Sequence, residues 1–368
     1  MTRADAIVVG GGVAGAAAAA RLAAQGREVV LFDSGDRGGP KVCGEFLGGG
    51  AMAELDDLAV PLQALGAVGV RSIRLSLGRR TVEAPLPFRA CGLSRRRLDG
   101  ELLALAGRCG ADVRRGTRVR RLTRAGALWE AEGVRAPVLL LATGKHDLPG
   151  CGRPAPETPY IGFKAHLRPA AGRAIRSGYR IEIGFYDGGY AGLQPVEGGA
   201  VNLCLIVSKD RYRALGRNWE ALLAALAWEA PAFASLLDGA EPLTDRPATV
   251  SRIPYGWVHA PGGIGDGRHL YRLGDQFAVI PSFAGDGIGM ALRSARVAAD
   301  SIVSGGSAAD FHAALGREVA SRVRRAALIG RVAEAGAGRG LIFAGCRLAP
   351  RMLTWIAAGT RAARCPPP

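Results

Sequence analysis

The first hydrophobic run, Ala6-Ile7-Val8-Val9, contains no polar position and ends at Gly10-Gly11-Gly12; an Ala-rich stretch then leads to a second apolar run toward Phe32, closed by Asp33. Runs apolar at every residue suit strands covered on both faces, so the pattern predicts strand, glycine turn, helix and parallel strand. Residues 160–207 follow a different rule. Segments 161–167, 179–185, 190–195 and 201–207 read as short strands, and Asp187-Gly188-Gly189 and Glu197-Gly198-Gly199 separate the later ones as hairpin turns. A period of two places Ile161, Phe163, Ala165 and Leu167 on one face and Gly162, Lys164, His166 and Arg168 on the other. Helices are expected at 219–228, 231–237 and 290–302, an extended return over 248–259, and Ala- and Arg-rich helices after residue 305.

The glycines carry the first chemistry. In G-x-G-x-x-G, Gly10 permits a tight turn, Gly12 lets backbone N–H groups approach a pyrophosphate at a helix N-terminus, and Gly15 allows close helix–strand packing. Asp33 would accept ribose hydroxyls. NAD and FAD share this turn, and the choice rests on residues 270–289, where a buried strand ends in Gly274-Asp275 and is followed by Pro281, Gly285, Asp286, Gly287, Ile288 and Gly289. A strand-end carboxylate at Asp275 can hold a ribityl hydroxyl, and a second glycine-led helix start can meet the flavin pyrimidine edge. NAD has no group that needs the second site, so non-covalent FAD is expected. With no second G-x-G-x-x-G unit, NADH or NADPH would visit transiently as reductant.

Together the G-x-G-x-x-G unit, Leu93-Ser94-Arg95-Arg96-Arg97-Leu98-Asp99, Ala142-Thr143-Gly144, and Gly274-Asp275 with its Pro281 and Gly285-Asp286-Gly287 continuation resemble the FAD-dependent aromatic hydroxylase and geranylgeranyl reductase superfamily. Within that span, Lys41-Val42-Cys43-Gly44-Glu45-Phe46-Leu47 is similar to the Cys-Gly segment of the geranylgeranyl-reductase-like branch. The resemblance implies flavin contact by Cys43, Gly44 and Glu45, Arg95 facing the FAD phosphates, Val119 presenting backbone to the adenine, and Gly144 in the cofactor site. Thr143-Gly144 stands where aromatic hydroxylases carry Asp-Gly, and Met290 where they usually carry Asn. The Trp-x-Trp-x-Ile-Pro signature of flavin-dependent halogenases is absent.

The expected fold is α/β: a doubly wound FAD-binding domain from residues 1–69, 91–150 and 266–305, an inserted antiparallel-sheet substrate domain from 70–90 and 151–265, and a C-terminal helical segment over 306–368. His166 is a candidate catalytic base, although an outer-face, solvated position is the favoured reading of it. Lys164 and Tyr190 are further catalytic candidates, Gln194 a candidate for fixing substrate polarity, and His146 a loop cap. An apolar or aromatic small-molecule substrate suits the inserted sheet. The favoured activity is NAD(P)H-driven monooxygenation of an aromatic or polyketide-type molecule, with molecular oxygen as co-substrate. The alternative is reduction of double bonds in a prenyl or lipid chain; halogenation and non-catalytic flavin binding rank lower.

Composition alters this picture little. Of 48 basic residues only Lys41, Lys145, Lys164 and Lys209 are lysines, and the net charge of +16 sits among many Ala and Gly, as a GC-rich coding sequence produces. Specific nucleic-acid binding is not expected. Residues 317–364, however, hold ten Arg against Glu318 and Glu334. That segment is read as a helix pair packed on the core, with a basic amphipathic lid in peripheral contact with anionic lipid as the alternative. Seven cysteines with no C-x-x-C pair indicate neither a disulfide framework nor a metal site. No signal-type apolar region follows the N-terminus, and Arg347, Pro350 and Arg351 interrupt the late apolar stretch, so a cytoplasmic location is expected.

Overall fold

Five short strands, all parallel, carry the nucleotide motif, in the order Leu270–Arg272, Val138–Leu141, Ala6–Val9, Val29–Phe32 and Asp112–Arg114. This is a computed structural model; it describes residues 2–35, 39, 41–153, 158–170, 180–260, 262, 269–334 and 336–359. Every residue of Ala6–Val9 and Val29–Phe32 is buried, as unbroken apolar runs require. One face of the sheet is covered by the helices Val13–Ala24, Arg95–Arg108 and Gly287–Val303. The alanines from Ala16 to Ala20 are buried and small enough for these helices to approach closely. The other face is covered by a four-stranded sheet over residues 2–3 and 123–136, through Trp129, Val134 and Ala136. The molecule is thus α/β with a Rossmann-like nucleotide domain.

A nine-stranded sheet makes the second half. Its strands include Tyr160–Arg168, Arg180–Tyr186, Gly189–Pro195 and Val201–Ser208, joined by the hairpin Val68–Leu77 and Arg80–Gly92. Neighbours are antiparallel except Arg180–Tyr186 against Val68–Leu77, which run parallel. Phe46–Leu47, in the chain segment assigned to the nucleotide half, pairs with Cys91 and Gly92 at the sheet edge.

Several element limits differ from the sequence reading. Residue 179, the start of one expected strand, lies outside the described residues. The 248–259 return is a strand only over Ala248–Ser251. Glu197–Gly199 closes a 3-10 turn, with Gly198 at φ 71°. The helix expected from Met290 begins at Gly287, so Gly287, Ile288 and Gly289 form its first turn, preceded by Asp286, whose side chain makes no capping bond. The chain ends in a long helix, Ala308–Glu334, and two lid helices, Gly336–Leu348 and Arg351–Gly359, bent by 117° at the break between them. Among the described residues no single helix is long and apolar enough to cross a membrane. The lid helices pack on the large sheet through Phe343, Cys346, Leu353 and Ala357.

Candidate functional site

A cavity of about 1080 Å³ runs from the ends of the parallel strands, across the large sheet, to the lid helices. At its nucleotide end Gly10 has φ 108°, and a Cβ there would lie 2.4 Å from the Ala142 carbonyl oxygen; a Cβ at Gly15 would lie 1.9 Å from the Gly10 carbonyl oxygen. These two glycines are fixed by packing. Gly12 is different, since its Cβ would meet only Arg95 Nη2 at 3.4 Å and Lys41 Nζ at 3.5 Å. No side chain caps the helix that Gly12 opens, so its first N–H groups and two cations converge on one point. That is a cradle for a diphosphate. Asp99 positions both cations, bonding Arg95 Nε at 2.8 Å and Lys41 Nζ at 2.7 Å. Burial alone would raise the Asp99 carboxyl, but the charges of Arg95 and Lys41 outweigh it and hold it below the usual range.

The remaining nucleotide residues line the same cavity. Asp33, at the end of its strand, and Val119, in an irregular segment beyond Thr117, border the first lobe. Gly144 (φ 64°), Gly274 and Asp275 border the next, and the Asp275 carboxylate is 3.2 Å from Lys145 Nζ. Gly285, Gly287 and Ile288 line the far side; Gly289, one residue further on, does not, and a Cβ there would lie 2.8 Å from Asp286 Oδ1 and 3.4 Å from Ala51 N. These residues fit FAD: a phosphate cradle at one end and a second open helix start, Gly287, at the other.

Cys43, Gly44 and Glu45 form the wall between the two halves. Glu45 has a left-handed backbone, φ 58°, and its carboxylate is fully buried. Oε1 accepts from Arg95 N at 2.8 Å and from Lys164 Nζ, and Oε2 lies 2.6 Å from His166 Nε2. Burial would raise this carboxyl; the His166 hydrogen bond and the Lys164 charge prevail, and it is held below its ordinary value. The solvated outer-face reading of His166 is therefore corrected: the ring is only 22% exposed, and Lys164 beside it is 4% exposed. Neither side chain lines the cavity, and both reach it through Glu45. Tyr190 stands apart from them, bonding Ser282 Oγ at 2.6 Å and accepting from Phe283 N at 3.1 Å. Burial pushes its hydroxyl well above the ordinary tyrosine value, and its bonds to Ser282 and Phe283 tie the cavity wall to the turn after Pro281. Tyr255 adds a second anchor, to the same Ser282 Oγ at 3.0 Å.

The cavity face of the large sheet is graded. Register places Cys204 opposite Gly192, Gly192 opposite Ile183 and Ile183 opposite Leu75, with Asn202, Gln194, Ile181 and Ile73 following the same order around one strand step away. The polar end lies near Glu45, where Asn202 Nδ2 donates to the Cys43 carbonyl at 3.1 Å. Gln194 is 2% exposed at the cavity edge with neither amide atom bonded. The Cys204 thiol is pushed up to about 12 by burial and stays protonated. The apolar end, with Ile73, Leu75, Leu86 and Ile183, faces Ile342, Leu353 and Ile356 of the lid helices. His146 sits in the turn after Gly144, its N–H donating to the Thr143 carbonyl at 3.3 Å.

Sequence reasoning missed the Glu45 cluster and the lid as a cavity wall. The signal for the first was an acidic residue inside a Cys-Gly-Glu-Phe-Leu segment, with two basic residues at strand spacing elsewhere to meet it. Among the described residues no cluster suited to a metal occurs and no cysteine is in a disulfide; Cys365 lies outside them.

Residues 8–44 match the NAD(P)-binding Rossmann-like domain family. The chain is 28% identical over 347 residues to the menaquinone reductase of Mycolicibacterium smegmatis, covering 83% of this chain and 78% of that protein. A flavoprotein/dehydrogenase from Cytophaga hutchinsonii superposes with a TM-score of 0.78 at 16% identity, over 96% of this chain and 92% of that one. A geranylgeranyl bacteriochlorophyll reductase-like protein from Thermoplasma acidophilum gives 0.70 at 21%, over 91% and 87%. The halogenase PltM, solved with phloroglucinol and FAD, gives 0.73 at 16%, over 90% and 76%.

Proposed function

The chain has the fold of the FAD-dependent aromatic hydroxylase and geranylgeranyl reductase superfamily, and from that premise we propose that it is an FAD-dependent oxidoreductase that reduces double bonds in an extended, prenyl-like apolar chain. The observation that carries this reading is the continuity of the cavity from the diphosphate cradle along Ile183, Leu75 and Ile73 to the lid helices. An elongated apolar slot matches a hydrocarbon tail better than a compact aromatic ring. The likeness to a menaquinone reductase supports it.

When bound, FAD supplies the two-electron redox chemistry, with NADH or NADPH as the visiting reductant. Gly10, Gly12, Lys41 and Arg95 would hold its phosphates, Asp33 its ribose, and the start of the Gly287 helix its flavin end. Lys164 and His166 hold Glu45 ionised and in place, and with it Cys43 and Gly44 in the wall against which the flavin would lie. The apolar lid and sheet exclude water from the reacting chain. Gln194 offers one donor and one acceptor to a polar head group at the other end.

The competing reading, oxygen insertion into an aromatic or polyketide-type ring, draws on the compact Pro281-to-Gly289 turn that two tyrosines pin in place. Turnover of a geranylgeranyl lipid by the FAD-loaded protein, followed by product mass under nitrogen and in air, separates the two. A product heavier by two hydrogens, formed without oxygen, is expected. A strict oxygen requirement with a product heavier by one oxygen would replace the reductase with a hydroxylase.

A further inference from the structure

Large hydrophobic side chains are unevenly exposed. Among the described residues eight are exposed, and five of them, Leu328, Val332, Leu341, Leu348 and Trp355, lie in the lid helices and the end of the long helix. Leu341 and Leu348 are two turns apart on one outward stripe, 72% and 88% exposed, while Phe343 and Cys346 face inward at 1% and 0%. Arg351 and Trp355 repeat the outward pattern one turn apart, with Leu353 and Ala357 inward. The first lid helix is therefore apolar on two opposite faces and the second adds an exposed Trp355 beside Arg351, while the large sheet covers only the inward side.

Charge indicates what covers the other. Arg324, Arg325, Arg331, Arg347 and Arg351 are exposed around these stripes. From residue 324 to residue 359 the sole acidic residue is Glu334. A second copy of the chain docking face to face would bring arginines against arginines, which like-charge repulsion opposes. An anionic lipid surface satisfies both features: leucine and tryptophan enter the acyl boundary, and arginines reach back to the phosphates. The two lid helices are bent by 117° at their break, so they do not form one straight span.

We propose that the lid helices and the last turns of the long helix dock on an anionic bilayer, so that an apolar substrate passes from the membrane into the cavity through the wall formed by Ile342, Leu353 and Ile356. The route for substrate rests on the reductase reading; the docking surface does not. The test is co-sedimentation of the full chain with vesicles of phosphatidylcholine alone or mixed equally with phosphatidylglycerol. Binding to the mixed vesicles is expected, with a blue shift of tryptophan emission that Trp355→Ala removes. Leu348→Glu, and separately Arg347→Glu with Arg351→Glu, should each weaken binding roughly tenfold or more while the melting temperature is unchanged. Equal partition onto both vesicle types, absence of binding, or a wild-type dimer that Leu348→Glu makes monomeric would overturn the proposal. Retained vesicle binding with no lipid turnover would support the docking and count against the reductase alone.

Discussion

Two glycines of one motif fail in different ways when substituted. At Gly15 an added Cβ collides with the Gly10 carbonyl, whereas at Gly12 it meets only the ends of two flexible cations. Gly15→Ala should therefore lower thermal stability even without ligand. Gly12→Ala should melt like the wild type yet bind FAD at least about tenfold more weakly, a loss of about 1.4 kcal/mol, by fluorescence titration. Normal FAD affinity in Gly12→Ala would remove the diphosphate from that cradle. At Glu45 the contrast is with pH. Its carboxyl is held below its unfolded value, so its stabilisation is complete above the ordinary glutamate range and is lost as pH falls through the lowered value. Glu45→Gln leaves Lys164 buried without its anion and should cost about 3 kcal/mol near neutral pH. The two proteins' stabilities should converge in acid; a constant gap across pH in chemical denaturation would contradict the ion-pair account. The glycine spacing was legible because it is local in sequence. The Glu45 cluster was not, because its members are 119 and 121 residues apart and meet only through the fold.

Strands and helices were readable where periodicity was strong, as in 160–207 and in the Ala-rich helix after Gly12. What periodicity could not show is which faces end up covered. Alternation put Lys164 and His166 on one face, and His166 was read as solvated, but that face meets the buried Glu45, and a buried cation such as Lys164 needs a buried anion. The parallel pairing of Arg180–Tyr186 with Val68–Leu77 also has no local signature, since register across such a distance is decided by packing. The lid gives an element-scale prediction. Phe343 is 1% exposed and packs on the apolar end of the large sheet. Phe343→Ala should destabilise the chain by about 3–5 kcal/mol and widen the tail end of the cavity. Under the reductase reading the same variant should raise KM for a long-chain lipid more than for a short analogue. An equal effect on both would mean that the tail does not lie under the lid.

For the molecule as a whole, a charge of +16 invites an assignment to nucleic acid that the arrangement of arginines does not support. Many are paired with acids, such as Arg293 with Glu318 at 3.0 Å and Arg296 with Glu54 at 2.8 Å. Retention on DNA should consequently be sequence-independent and fall steeply between roughly 50 and 200 mM salt. Sequence-selective retention at the higher salt would reverse that conclusion. The hairpin over residues 68–92 has a different consequence, for how the chain reaches its fold. It leaves the nucleotide half early and finds its parallel partner in Arg180–Tyr186 only after some hundred residues have intervened, where the Ser76 hydroxyl also donates to the Ile183 carbonyl 107 residues away. During synthesis its edge waits without a neighbour, exposed to any other chain in the same state. The two fragments made by a cut between residues 153 and 158 should therefore fail to fold when expressed separately, and refolding of the intact chain should be slow and increasingly lossy as protein concentration rises.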